Sequence, residues 1–282
     1  ALNDDCEIDE ETSYIKEGGT IIFCDISMKR TIKETLYCTV YKGENLSEYN
    51  GITVDANKYK IDNGILYFSY DGENVTEVPG DFSNDKSDYN NQNYIISEEK
   101  TVFFYTENGR KYLVYSDDKG NTWNTVKLAT NGTIQSIQFL NKDIGFVLQF
   151  EDYALGGVTF GHIDKTTDGG QTWTTINNGI GSLNEGTFRR GSQLLFVNEN
   201  IAFVTMPYAS GDDSELYYSE DGGINFTKVN LSDEQIYDYY YLPTIEDGKI
   251  YLEVGQGNDG DYNGGSFKKY CSEDNGKTWN EI

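Results

Sequence analysis

Four arginines, Arg30, Arg110, Arg189 and Arg190, a single histidine, His162, and 47 carboxylates are the groups of this chain with the most chemistry to offer. Three guanidinium groups meeting at one point grip a carboxylate through bidentate, charge-assisted bonds. Among so many acids, paired carboxylates could serve generic glycoside hydrolysis. Arg189 and Arg190 are adjacent, and in a strand they point to opposite sides. One of them at most faces a given ligand, so a triad needs Arg30 and Arg110 as well. Arg110 falls in a tight turn, Glu107–Arg110, expected towards the rim, and Arg30 has no arginine motif around it. His162 has no nucleophile motif to serve and reads as a strand residue. There is no His-rich metal site, no Gly-rich phosphate loop and no Cys-x-x-Cys pair. Asn258–Asn263 has the oxygen-rich spacing of a calcium loop but lacks the distal glutamate, and it reads as an acidic turn. No metal, no cofactor and no catalytic residue is expected.

Binding chemistry is better supplied. Segments rich in Tyr, Asp and Gly recur at 151–157, 207–213 and 255–265, with further stretches at 81–93, 181–192 and 233–242. Tyrosines offer flat, amphipathic area and carboxylates fix orientation, a mixture that suits a sugar or a peptide. The candidate ligand-binding residues are Asp152, Tyr153, Arg189, Arg190, Tyr208, Asp212, Tyr239 and Tyr262.

Composition narrows the partners. Lys plus Arg is 22 and Asp plus Glu is 47, a net charge of −25. Nucleic acid and anionic membrane surfaces both demand clustered cations, so neither is an expected partner. A cationic partner would be attracted, while an anionic sugar would need a local positive pocket. The longest apolar runs, 21–24 and 194–197, fall far short of the roughly 18 residues of a membrane-spanning helix. The aromatic fraction of 14% argues against disorder. Thirty glycines with many Asn, Asp, Tyr and Thr residues point to short strands joined by tight turns. No linker divides the chain, so one domain over 1–282 is expected, as a monomer. The start at Ala1 is compatible with prior removal of a signal peptide.

The elements that must position these groups announce themselves as a repeat. Four segments share the form Ser/Thr-x-Asp-x-Gly-x-Thr/Asn-aromatic. They place Ser116, Asp118, Gly120 and Trp123; Thr166, Asp168, Gly170 and Trp173; Ser219, Asp221, Gly223 and Phe226; and Ser272, Asp274, Gly276 and Trp279. All three tryptophans of the chain end this motif. The carboxylate can accept backbone N–H groups within its own turn, the glycine can supply a positive φ, and the hydroxyl can close the loop. The aromatic residue then opens the next strand and tucks between neighbouring units. This is folding chemistry rather than catalysis.

These segments resemble the Asp-box, or bacterial neuraminidase repeat, of sialidases, sortilin-like receptors and photosystem assembly-factor-like proteins. The resemblance implies an all-β chain, a β-propeller with each box at the turn between the third and fourth strands of a blade. The boxes recur about every 50 residues, the length of one four-stranded blade. Degenerate boxes at Ser69–Val75 and Thr39–Leu46 bring the expected count to six blades, with five as the alternative. Strands are expected at 135–141, 144–150 and 161–166, and again at 194–198, 201–207 and 215–218. The phrases Phe139–Phe146 and Phe196–Phe203 are near copies and look like first-to-second-strand turns.

In a propeller the box turns lie on one face and the Tyr- and Asp-rich segments open on the other, where ligands meet the channel. Only residues 280–282 follow Trp279, so the segment Asn3–Thr12 is expected to supply the outer strand of the last blade and close the ring. Cys6 and Cys271 would then be neighbours able to pair, as would Cys24 and Cys38. Four cysteines allow three connectivities or four free thiols, and a bridge would favour an oxidising compartment. The resulting expectation is a secreted or cell-surface binding or assembly module for a glycan or protein partner. Exo-sialidase activity is the alternative.

Overall fold

The computed structural model describes residues 7–9, 14–17, 20–23, 54–83, 93–129, 132–155, 158–179, 188, 191–207, 214–231, 239–255 and 267–282, with side chains from 54 onward except 151–160 and 267. Every regular element among them is a strand. The chain divides into two compact units, 1–53 and 54–282. The smaller holds β1 (Glu7–Asp9), β2 (Tyr14–Glu17) and β3 (Thr20–Phe23), antiparallel and in sequence order.

The larger unit is a series of five antiparallel sheets. Sheet one comprises β4 (Lys58–Asp62), β5 (Ile65–Ser69) and β6 (Val75–Val78). Sheet two comprises β7 (Thr101–Glu107), β8 (Arg110–Ser116) and β9 (Asn124–Lys127), with Ile95 bridged to Val102 as the start of a further inner strand. Sheet three runs β10 (Thr133–Phe139), β11 (Gly145–Leu155), β12 (Val158–Thr166), β13 (Thr174–Asn177). Sheet four runs β14 (Gln193–Phe196), β15 (Ala202–Met206), β16 (Glu215–Ser219), β17 (Thr227–Lys228). Sheet five has β18 (Tyr239–Tyr240) and β19 (Thr244–Glu246) on one edge of β20 (Lys249–Gly255), then β21 (Phe267–Ser272) and β22 (Asn280–Glu281). This succession of small antiparallel sheets is consistent with a propeller-like fold.

The core lies between successive sheets, which explains why the second strands are apolar on both faces rather than alternating. In β7, Phe103 and Tyr105 join Leu66 and Phe68 of sheet one, while Val102 and Phe104 join Ile134, Ile137 and Val147 of sheet three. In β11, Phe146, Leu148 and Phe150 turn to sheet four. In β15, Ala202, Val204 and Met206 face back to sheet three and Phe203 faces sheet five. Polar ties cross the same gaps. Gln138 donates from Nε2 to the Phe196 carbonyl at 2.8 Å and accepts the Phe196 N–H at 2.7 Å. Asn177 Nδ2 donates to the carbonyls of Gly223 and Ile224 at 3.0 and 3.1 Å.

Two expectations are corrected. The segment 151–157 is largely strand. Tyr, Leu, Val, Thr and Phe favour extended backbone, so β11 and β12 run on past a bulge to the pair Leu155–Val158. The outer strand of sheet five comes from the C-terminus itself. Asn280 and Glu281 register with Cys271 and Tyr270, and the Ile282 N–H donates to the Lys269 carbonyl at 2.9 Å. Residues 7–9 of the expected closing segment pair with β2 within the smaller unit.

Candidate functional site

The four repeat segments fold into the same turn. The hydroxyls of Ser116, Thr166, Ser219 and Ser272 donate to Oδ1 of Asp118, Asp168, Asp221 and Asp274 at 2.9, 2.8, 2.9 and 2.8 Å. Each hydroxyl also accepts the N–H of Gly120, Gly170, Gly223 or Gly276 at 2.9, 2.9, 3.0 and 2.8 Å. The same Oδ1 atoms accept the N–H of Thr122, Thr172, Asn225 and Thr278 at 2.8, 2.9, 2.9 and 2.9 Å. Oδ2 takes the side chain of that residue at 2.6 to 2.7 Å.

Every oxygen of these carboxylates is engaged with donors that favour the charged form. The Thr172 hydroxyl, followed by its N–H, holds Asp168 down to about 2. The Thr278 N–H, followed by its hydroxyl, does the same for Asp274, also at about 2. Ser69–Asn74 builds the shortened version. Asp71 accepts the N–H groups of Glu73 and Asn74 at 2.8 Å each, and its carboxyl is pulled well below the usual range by Asn74 first. The other degenerate segment, Thr39–Leu46, lies outside the described residues.

Two residues per turn have positive φ, one more than the sequence reading assigned. Gly120, Gly170, Gly223 and Gly276 stand at 77°, 97°, 83° and 91°, and Lys119, Gly169, Gly222 and Asn275 before them at 59°, 75°, 77° and 63°. The closing aromatic wedges against the preceding sheet, Trp123 edge-on to Phe68 at 6.0 Å and Trp279 to Phe203 at 6.1 Å. Phe226 is buried in the cluster between sheets three and four.

Strand direction then separates two ends. The Asp turns join third to fourth strands and lie beside the first-to-second-strand turns. There the Gly169 N–H donates to the Asp143 carbonyl and the Gly222 N–H to the Asn200 carbonyl, both at 2.8 Å. Asn141 and Asn198 cap those turns identically, each accepting two backbone N–H groups. Antiparallel pairing puts the second-to-third-strand connections at the opposite end. In sheets one and two they are two-residue turns, Asn63–Gly64 and Asn108–Gly109, with positive φ throughout. In sheets three to five they are the long β11–β12 hairpin and the segments 207–214 and 256–266.

The predicted ligand residues map onto that second end unevenly. Asp152 and Tyr153 lie on β11 within the irregularity between Phe150 and Ala154. Tyr239 sits on β18, half-buried, its ring 4.9 Å from that of Tyr241. Arg189, Arg190, Tyr208, Asp212 and Tyr262 lie outside the described residues, as do Arg30 and the segment Asn258–Asn263. Arg110 follows the Asn108–Gly109 turn and is exposed. Cys271 is a buried free thiol between Tyr251 and Asn280 of its flanking strands. Cys6, its expected partner, lies outside the described residues, as do Cys24 and Cys38.

Sequence reasoning missed a buried polar group in sheet three. His162 and Asp164 lie two apart on β12, with Gln149 and Thr175 across the flanking strands. The Thr175 hydroxyl donates to Asp164 Oδ1 at 2.6 Å, Gln149 Nε2 donates to Oδ2, and His162 Nε2 lies 3.6 Å from Oδ2. Burial opposes ionisation of Asp164, yet the bonds from His162, Thr175 and Gln149 keep its carboxyl below the ordinary range. The clue was Gln149, a polar residue inside the apolar run Phe146–Phe150. His162 is thus buried in the sheet beside Asp164. Among the described residues, no cluster of three His, Cys, Asp or Glu side chains could hold a metal ion, and no helix is long and apolar enough to cross a membrane.

No known protein-family profile matches the chain, and no curated protein matches it. Solved structures give distant likenesses. A GH43 protein, BlXynB of Bacillus licheniformis, is 10% identical at a TM-score of 0.36, over 68% of this chain and 40% of that one. The NanB sialidase of Streptococcus pneumoniae is 12% identical at 0.39, over 82% and 43%. YCF48 bound to a peptide is 13% identical at 0.32, over 82% and 79%. The chain thus spans less than half the length of the first two.

Proposed function

We propose that the chain is a β-propeller of the Asp-box type, of six or five blades, and works as a secreted or cell-surface binding or assembly module. Its ligand is a glycan or a protein partner, met at the end of the sheets opposite the Asp turns, and no bond is broken there. The observation that carries this reading is the inequality of the two ends. One is closed by repeated, fully hydrogen-bonded Asp turns. The other gathers the long hairpin of β11 and β12 and the longer connections of sheets four and five. Binding residues concentrate on such connections because a rigid scaffold holds them without constraining their sequence. The net charge of −25 favours a neutral glycan or a cationic protein surface over an acidic sugar. The extracellular setting rests on the repeat and the acidic composition, since Cys271 offers no bridge.

The test is an array of neutral glycans, acidic glycans and basic proteins probed with the wild type, a Tyr208→Ala/Asp212→Ala variant and a Gln171→Ala variant. Binding that is lost in the first variant and kept in the second, which alters the Asp-turn end, supports the reading. Binding lost only in Gln171→Ala overturns it.

A further inference from the structure

We draw no further inference here: the strongest candidate, the end of the β11–β12 hairpin that runs past the register of Thr133 on β10 and Asn177 on β13, belongs to the loop end already proposed as the binding surface, and nothing in the structure shows what lies against its edges.

Discussion

Adding one methyl group at Gly276 tests how the repeated turns hold neighbouring sheets together. Gly276 has φ of 91°, and a Cβ built there would stand 2.3 Å from Cζ of Phe203. Phe203 belongs to sheet four, is fully buried and has Tyr218 at 5.2 Å and Trp279 at 6.1 Å, so its ring has nowhere to retreat. Left-handed backbone costs an L-residue about 1–2 kcal/mol, and overpacking adds about 1–3 kcal/mol. The reduced freedom of the unfolded chain returns about 0.4–1 kcal/mol. Gly276→Ala should therefore lose about 2–4 kcal/mol.

Gly109 is the control, with φ of 70° and nothing within 4 Å of an added Cβ. Gly109→Ala carries only the backbone cost and should lose about 1 kcal/mol. At roughly 2–4 °C per kcal/mol for a chain of this size, the melting temperatures should fall by about 4–16 °C and about 2–4 °C. Urea unfolding followed by tryptophan fluorescence and circular dichroism gives both values. The Gly276→Ala/Phe203→Leu double variant should lose less than the sum of its singles, because the smaller side chain relieves the clash. Equal losses at Gly276 and Gly109, or strict additivity in the double variant, would refute the packing argument.

Four further outcomes are expected. Ser272→Ala removes the acceptor for the buried Gly276 N–H, and should cost about 1–3 kcal/mol in urea unfolding. Stability should fall as pH drops from about 4, where an unfolded aspartate titrates, through about 2, where Asp168 and Asp274 titrate in the fold. Both groups bind their proton more weakly when folded, so their contribution is present above that window and lost below it; Asp168→Asn should flatten the profile measured by acid titration of the circular dichroism. Lys100 is buried, with Nζ 2.7 Å from the Gly169 carbonyl and from Asp117, and 4.2 and 4.4 Å from the ring centres of Tyr115 and Phe139. Lys100→Met keeps the packing but strands the carbonyl, and a loss of about 1–3 kcal/mol in chemical denaturation is expected. Cys271 should resist alkylation in the folded chain and react on unfolding without any reductant, as followed by mass spectrometry.

What the residues disclosed in advance was local. The Ser/Thr, Asp and Gly positions specify their turn because each bond is made within eight residues, and the closing aromatic announces the next strand. The near-copied phrases around Asn141 and Asn198 likewise form identical turns for short-range reasons. Features that depend on which strand lies alongside were not legible. The bidentate clamp of Gln138 on Phe196 spans 58 positions, and nothing local marks it. The strand status of 151–155 was hidden because Glu, Asp and Gly suggested a loop, while the pairing partner that holds it extended comes from β12. Three residues seemed too few for an outer strand, yet Asn280 and Glu281 form β22 and Ile282 adds a further backbone bond to β21.

The reading of this chain as a binding module is tested most directly by turnover. Purified protein incubated with a fluorogenic sialoside should release no fluorophore above the buffer rate across the acidic to neutral range. Sustained release that disappears in Arg189→Ala or Arg190→Ala would contradict the account and make the loop end an active site.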